Sequence, residues 1–137
     1  MDMLTHFVAG ATSGAFFDEP ILGGVIAITP DIVLGIKRRE LPNYAYNLTH
    51  SVFGISFITF VLSFFINYLL VLTSLLSHIL LDLRTHGKQW SPPLLFPFSE
   101  RHFFSAEEWE FFNISWLKGF IPFLAWEILW AIIICIR

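Results

Sequence analysis

Residues Ser51–Leu81 read SVFGISFITFVLSFFINYLLVLTSLLSHILL, a run of 31 residues without a formal charge. An apolar run of roughly 18 residues is already long enough to suggest a bilayer crossing. Extended to Leu48–Leu83 as one straight helix, the segment is about 54 Å long, against a hydrocarbon core of about 30 Å. Two antiparallel helices of about 16–18 residues, turning near Asn67, therefore fit better than one long tilted helix.

The rest of the chain suits the same solvent. Of its 137 residues 55% are hydrophobic and only 14% charged, and the mean hydropathy is +0.68. A soluble domain carries about 25% charged residues, and a small one leaves much of its surface exposed, so lipid is the natural place for the excess apolar surface. Leu117–Ile136 is a second span, with Lys118 and Glu127 as its only charges. The length allows one domain over residues 1–137, with no internal repeat and no linker. The net charge of −3 comes with no basic block large enough for a nucleic-acid surface. Cys135 is the single cysteine, which excludes an internal disulfide. Asp2 stands where a cleavable signal would carry Lys or Arg, so none is expected.

Thr5–Phe17 reads as a short helix rich in small residues. Asp18-Glu19-Pro20 interrupts it, because proline lacks the N–H that a continuing helix needs. Ile21–Ile36 forms the returning arm, so the pair is a hairpin with its tip at Asp18. Each arm covers about 18–24 Å, which makes this hairpin partly spanning or packed within protein. Lys37-Arg38-Arg39-Glu40 and Leu41-Pro42-Asn43 form a charged loop, and Arg84–Arg101 a polar loop bearing prolines. Ser105–Trp116 reads as an interfacial helix: Ser105 with Glu108 makes a capping box, and Trp109, Phe112 and Trp116 share a face. The expected fold is an all-α integral membrane bundle of two helical hairpins, an interfacial helix and a C-terminal transmembrane helix. Lys37, Arg38, Arg39, Arg84, Lys88, Arg101 and Lys118 then fall on one side and Arg137 on the other. The positive-inside rule puts the crowded side, with the N-terminus, in the cytoplasm.

Ionisable residues in apolar segments are functional candidates because a bilayer disfavours them. His6 starts the first arm and Asp31 lies near the end of the second. His50 starts the third, and His78 and Asp82 end the fourth. Two hairpins, with turns set by Pro20 and helix length, bring all five to one side of the membrane. His78 and Asp82, four apart, share a helix face. Imidazole and carboxylate ligands without thiolates suit zinc, manganese or iron. Singly, each histidine reads more readily as a packing residue. Glu127 reads as a buried polar contact, Asp18 and Glu19 as a solvated tip, and His86 and His102 as solvated loop residues within reach of the site. Arg84 or Arg101 offers a bidentate fork for phosphate. The competing readings are a non-catalytic membrane protein with a structural metal site, and a small ion or metal transporter subunit.

These residues also carry a likeness. Thr5-His6-Phe7-Val8-Ala9-Gly10, Pro30-Asp31, Thr49-His50-Ser51 and Ser77–Gly87 (SHILLDLRTHG), with Leu94–Ser99 (LLFPFS) after them, resemble the membrane-bound, metal-dependent hydrolase family (YdjM-like). The resemblance implies a metal site of His6, Asp31, His50, His78 and Asp82 and hydrolase activity; of these, His50, His78 and Asp82 are the first ligands and catalytic residues expected, for attack on an ester or phosphoester. The pattern is similar, more loosely, to that of zinc-dependent phospholipase C and nuclease enzymes. Ile32 and Val33 stand where a second acidic residue often follows the family's Pro-Asp, and Tyr46-Asn47-Leu48 where it often has His-Arg. One divalent ion, zinc or manganese, is expected, and a lipid or lipid-linked substrate beneath the loop Arg84–Phe98.

Overall fold

The computed structural model describes residues 3–34, 44–88, 90–104 and 113–136. All the regular structure among them is helical: α1 (Met3–Ala15), α2 (Pro20–Leu34), α3 (Tyr44–Thr49), α4 (Val52–Leu62), α5 (Tyr68–Thr85) and α6 (Ile114–Cys135).

The first hairpin forms where proline and the acidic pair place it. Asp18 takes a left-handed conformation, φ 60°, which a short polar side chain tolerates. Pro20 then opens α2, where its missing N–H costs nothing. The two arms touch through small residues. A Cβ on Gly23 would stand 2.4 Å from the Gly10 carbonyl oxygen and 2.7 Å from the Gly14 Cα, so only glycine allows this approach.

The long apolar run is divided, as helix length requires. Asn67 caps α5, its side-chain oxygen accepting from the Leu69 N–H at 2.9 Å. The arm before it is shorter than expected. The helix does not run on from Leu48: α3 stops at Thr49, and Ser51 restarts the chain by accepting from the Gly54 N–H at 3.0 Å. The backbones are so close there that a Cβ on Gly54 would lie 1.8 Å from the Leu48 carbonyl oxygen. The remaining α4 has 11 residues, about 17 Å of helix. His50 thus sits on the break between two helices, not inside an arm.

The last helix begins at Ile114, capped by Asn113, rather than at Leu117. Trp116 belongs to it and stacks on Phe120 with ring centroids 4.5 Å apart. The remainder of the expected interfacial helix, 105–112, lies outside the described residues, as do Lys37, Arg38, Arg39 and Arg137.

The core gathers around α5: Leu70, Val71, Leu75 and Ile79 pack with Ile26 of α2 and Ile55 of α4. Outside that core the surface is apolar, with Phe57, Phe60, Phe64 and Phe65 all exposed. Tyr68–Thr85 and Ile114–Ile134 are long and apolar enough to cross a membrane, while Pro20–Ile32 and Val52–Leu62 are apolar but shorter.

Candidate metal centre

Helix α5 supplies the base of the site. His78, Asp82 and His86 recur every four residues, so one face carries all three. Three other elements converge on that face. Helix α1 brings His6, α2 brings Asp31, and the break between α3 and α4 brings His50. His6, His50, His78, Asp82 and His86 are buried, and the Asp31 side chain is 6% exposed.

Asp82 lies at the centre. One of its oxygens, Oδ1, stands 3.1 Å from His6 Nε2 and 3.0 Å from His86 Nδ1. The other, Oδ2, stands 3.4 Å from His50 Nε2 and 3.2 Å from His78 Nε2. Asp31 Oδ1 is 3.5 Å from His50 Nε2 and 3.9 Å from His78 Nε2. The two Nε2 atoms of His50 and His78 face each other at 3.1 Å, and the His6 ring stacks on His78 with centroids 4.0 Å apart. All five residues expected at the site meet there.

The surroundings fix which nitrogen is available. His50 Nδ1 lies 3.1 Å from the Tyr46 carbonyl oxygen and 3.0 Å from Thr49 Oγ1. A proton on Nδ1 satisfies the carbonyl and leaves the Nε2 lone pair aimed at the cluster, the outer-shell arrangement of metal-ligating histidines. Tyr46 stacks on the same imidazole, centroids 4.0 Å apart, and its hydroxyl donates to the Trp90 carbonyl. Burial pushes the Tyr46 phenol up, and the nearby Asp82 and Asp31 charges add to this, so the hydroxyl remains a donor.

The donor set fits a divalent ion. Although imidazole nitrogens surround them, none of the four carboxylate oxygens of Asp31 and Asp82 accepts a hydrogen bond of good geometry. Buried carboxylates left so are costly, and facing nitrogen lone pairs repel unless a cation or a proton lies between them. Nitrogen and oxygen ligands about 2.0–2.1 Å from a tetrahedral zinc stand roughly 3.3 Å apart. Four contacts among His50, His78, Asp31 and Asp82, at 3.1–3.5 Å, match that spacing, while His78 to Asp31, at 3.9 Å, is longer. His50, His78 and Asp82 could hold a metal ion, as could His6, Asp31 and His78, each trio offering ligand atoms within 4.8 Å of one another.

Two loop histidines differ from expectation. His86 is not solvated: it caps α5 and is buried against Asp82. Its spacing of four from Asp82 was the available signal. His102 is half-buried, with Nδ1 against the Ser91 carbonyl. Tyr46 and Thr49 went unrecognised as supports of His50, since a side-chain stack and a carbonyl contact leave no motif. Glu127 is half-buried and lines the same cavity as Thr12. Arg84 and Arg101 are exposed and line one cavity of about 450 Å³. The loop after α5 packs inward through Ser91, Pro92, Pro93 and Phe96, and the Leu94 carbonyl accepts from the Val52 N–H at 3.0 Å.

No family model matches the chain, and neither a curated protein nor a solved structure does.

Proposed function

We propose that the chain is a membrane-bound, metal-dependent hydrolase acting on an ester or phosphoester, in a lipid or lipid-linked substrate. The observation that carries this reading is the convergence of His6, Asp31, His50, His78 and Asp82 from four elements into one buried cluster whose carboxylate oxygens lack hydrogen-bond donors. The likeness to the YdjM-like hydrolases supports it, resting on those same residues.

His50, His78 and Asp82 hold the ion, with His6 and Asp31 completing the set. Nitrogen and oxygen ligands without thiolate favour zinc or manganese. A divalent ion supplies Lewis acidity toward a phosphoryl or carbonyl oxygen and lowers the pKa of water. Around it the chain's own groups position. His86 stands against one Asp82 oxygen while the other faces His50 and His78. Arg84 and Arg101 offer guanidinium groups to a phosphate. Two membrane-length apolar helices and the exposed phenylalanines of α4 support an integral membrane protein. The excess of Lys and Arg on the site's side supports the inner membrane, with the site facing the cytoplasm.

The test is metal content and phosphoester turnover of detergent-purified wild type beside His78→Ala/Asp82→Ala. One or more divalent ions with turnover in wild type, both lost in the variant, is the expected result. Equal turnover by wild type and Asp82→Ala would sink the reading.

Complete burial of His50, His78 and Asp82 favours a second reading, a structural metal site. Its signature is a melting temperature lowered by chelation with no substrate turned over. A transporter subunit is less well supported, because the candidate ligands gather at one end of the helices and do not run along them.

A further inference from the structure

Arg84 sits between Asp82 and His86 in the chain and belongs to the walls of two cavities. The first, about 450 Å³, is lined by Arg84, Arg101 and His102 together with Leu83, Phe103 and Phe104. The second, about 350 Å³, runs between α1, α5 and α6 and is walled by Leu80, Phe123, Trp126 and Trp130. Both fall within the usual size of small-ligand sites. Arg84 lines both, so the two cavities adjoin at its side chain.

The two ends differ in charge. Thr12 and Glu127 both line this groove, and Thr12 lies six residues beyond His6 in α1, about 9 Å along the helix. The groove therefore has its carboxyl group away from the metal ligands and its arginine, between Asp82 and His86 in the chain, beside them. A negative group is repelled from the first and drawn to the second. The groove opens beside α6, of whose membrane-length window only 6% is buried.

We propose that the two cavities form one site for an anionic phospholipid-type amphiphile, its phosphate between Arg84 and Arg101 and its acyl chain along the α1–α5–α6 groove. Guanidinium pairs take phosphate oxygens bidentately, and the tryptophans and Leu80 offer the chain an apolar wall. Binding stands on the cavities alone; that the bound amphiphile is also the substrate rests on the hydrolase reading above.

The experiment is equilibrium binding of hexadecyl phosphate, hexadecanol and inorganic phosphate to the full chain in nonionic detergent, with empty micelles subtracted. Hexadecyl phosphate should bind tightest. Arg84→Gln/Arg101→Gln should weaken it about ten- to a hundredfold, the loss expected for charge-assisted hydrogen bonds, while Arg84→Lys/Arg101→Lys recovers part of the affinity. Ser77→Leu, which fills the groove without touching either arginine, should weaken hexadecyl phosphate and leave inorganic phosphate unchanged. Inorganic phosphate binding as tightly as hexadecyl phosphate overturns the groove, and hexadecanol doing so overturns the cationic end. Hexadecyl phosphate binding without any turnover upholds the site while removing the hydrolase reading. Turnover of a water-soluble phosphoester with no amphiphile binding does the reverse.

Discussion

Asp82 shows how one carboxylate organises its neighbours: four imidazoles stand within ion-pair distance of its two oxygens. The groups one layer out act through geometry. Thr49 Oγ1 and the Tyr46 carbonyl hold His50 Nδ1, so Thr49→Val should loosen the ring and weaken zinc affinity about tenfold, the lower end for such outer-shell partners. Competition with a chromophoric chelator measures this; unchanged affinity means that the carbonyl alone orients His50. Tyr46→Phe keeps the ring on His50 and removes only the hydroxyl donated to the Trp90 carbonyl. It should cost about 1 kcal/mol, read from denaturant unfolding, with zinc stoichiometry unaltered.

Helix pairing places the ligands. His6 and Asp31 lie on opposite arms of the first hairpin, and their meeting depends on the contact of α1 with α2 through Gly10, Gly14 and Gly23. In Gly23→Leu the new side chain meets backbone atoms of α1, which cannot swing aside. Overpacking of this kind costs about 1–3 kcal/mol or more. The variant should melt lower and bind metal more weakly, although residue 23 touches no ligand; a variant matching wild type in both would show that the arms can part without disturbing the site. The break at His50-Ser51 has the same importance for the second hairpin, since it turns the His50 ring toward α5.

Taken together, the helices present an apolar exterior and a buried ionic cluster, so metal and bilayer should both contribute to stability. A ligand that binds only the folded state stabilises it by about 2.7 kcal/mol at a hundred times its dissociation constant. Chelation should therefore lower the melting temperature, and added zinc or manganese restore it. A melt indifferent to chelator and metal alike argues against a bound ion. The charge distribution makes a second demand. The stretch 37–43 should react with protease, or with thiol reagents after cysteine introduction, only from the cytoplasmic side. Access only from outside reverses the orientation.

Much of this was legible in one dimension. The uncharged run Ser51–Leu81, Pro20 and Asn67 establish an all-helical chain folded into hairpins, because helix length, a missing N–H and a capping side chain act locally. The order of His6, Asp31, His50, His78 and Asp82 along those hairpins then places all five at one end. Local rules could not show that His50 sits on a helix break or that Tyr46 and Thr49 orient it, whereas the inward turn of His86 had a local signal in its spacing of four from Asp82. The break depends on the close approach of Gly54 to Leu48 six residues earlier and on the Leu94 carbonyl, from a loop distant in sequence, meeting the Val52 N–H. Periodicity and capping report what a segment does alone. Which side chains share a buried space is settled only when the segments pack.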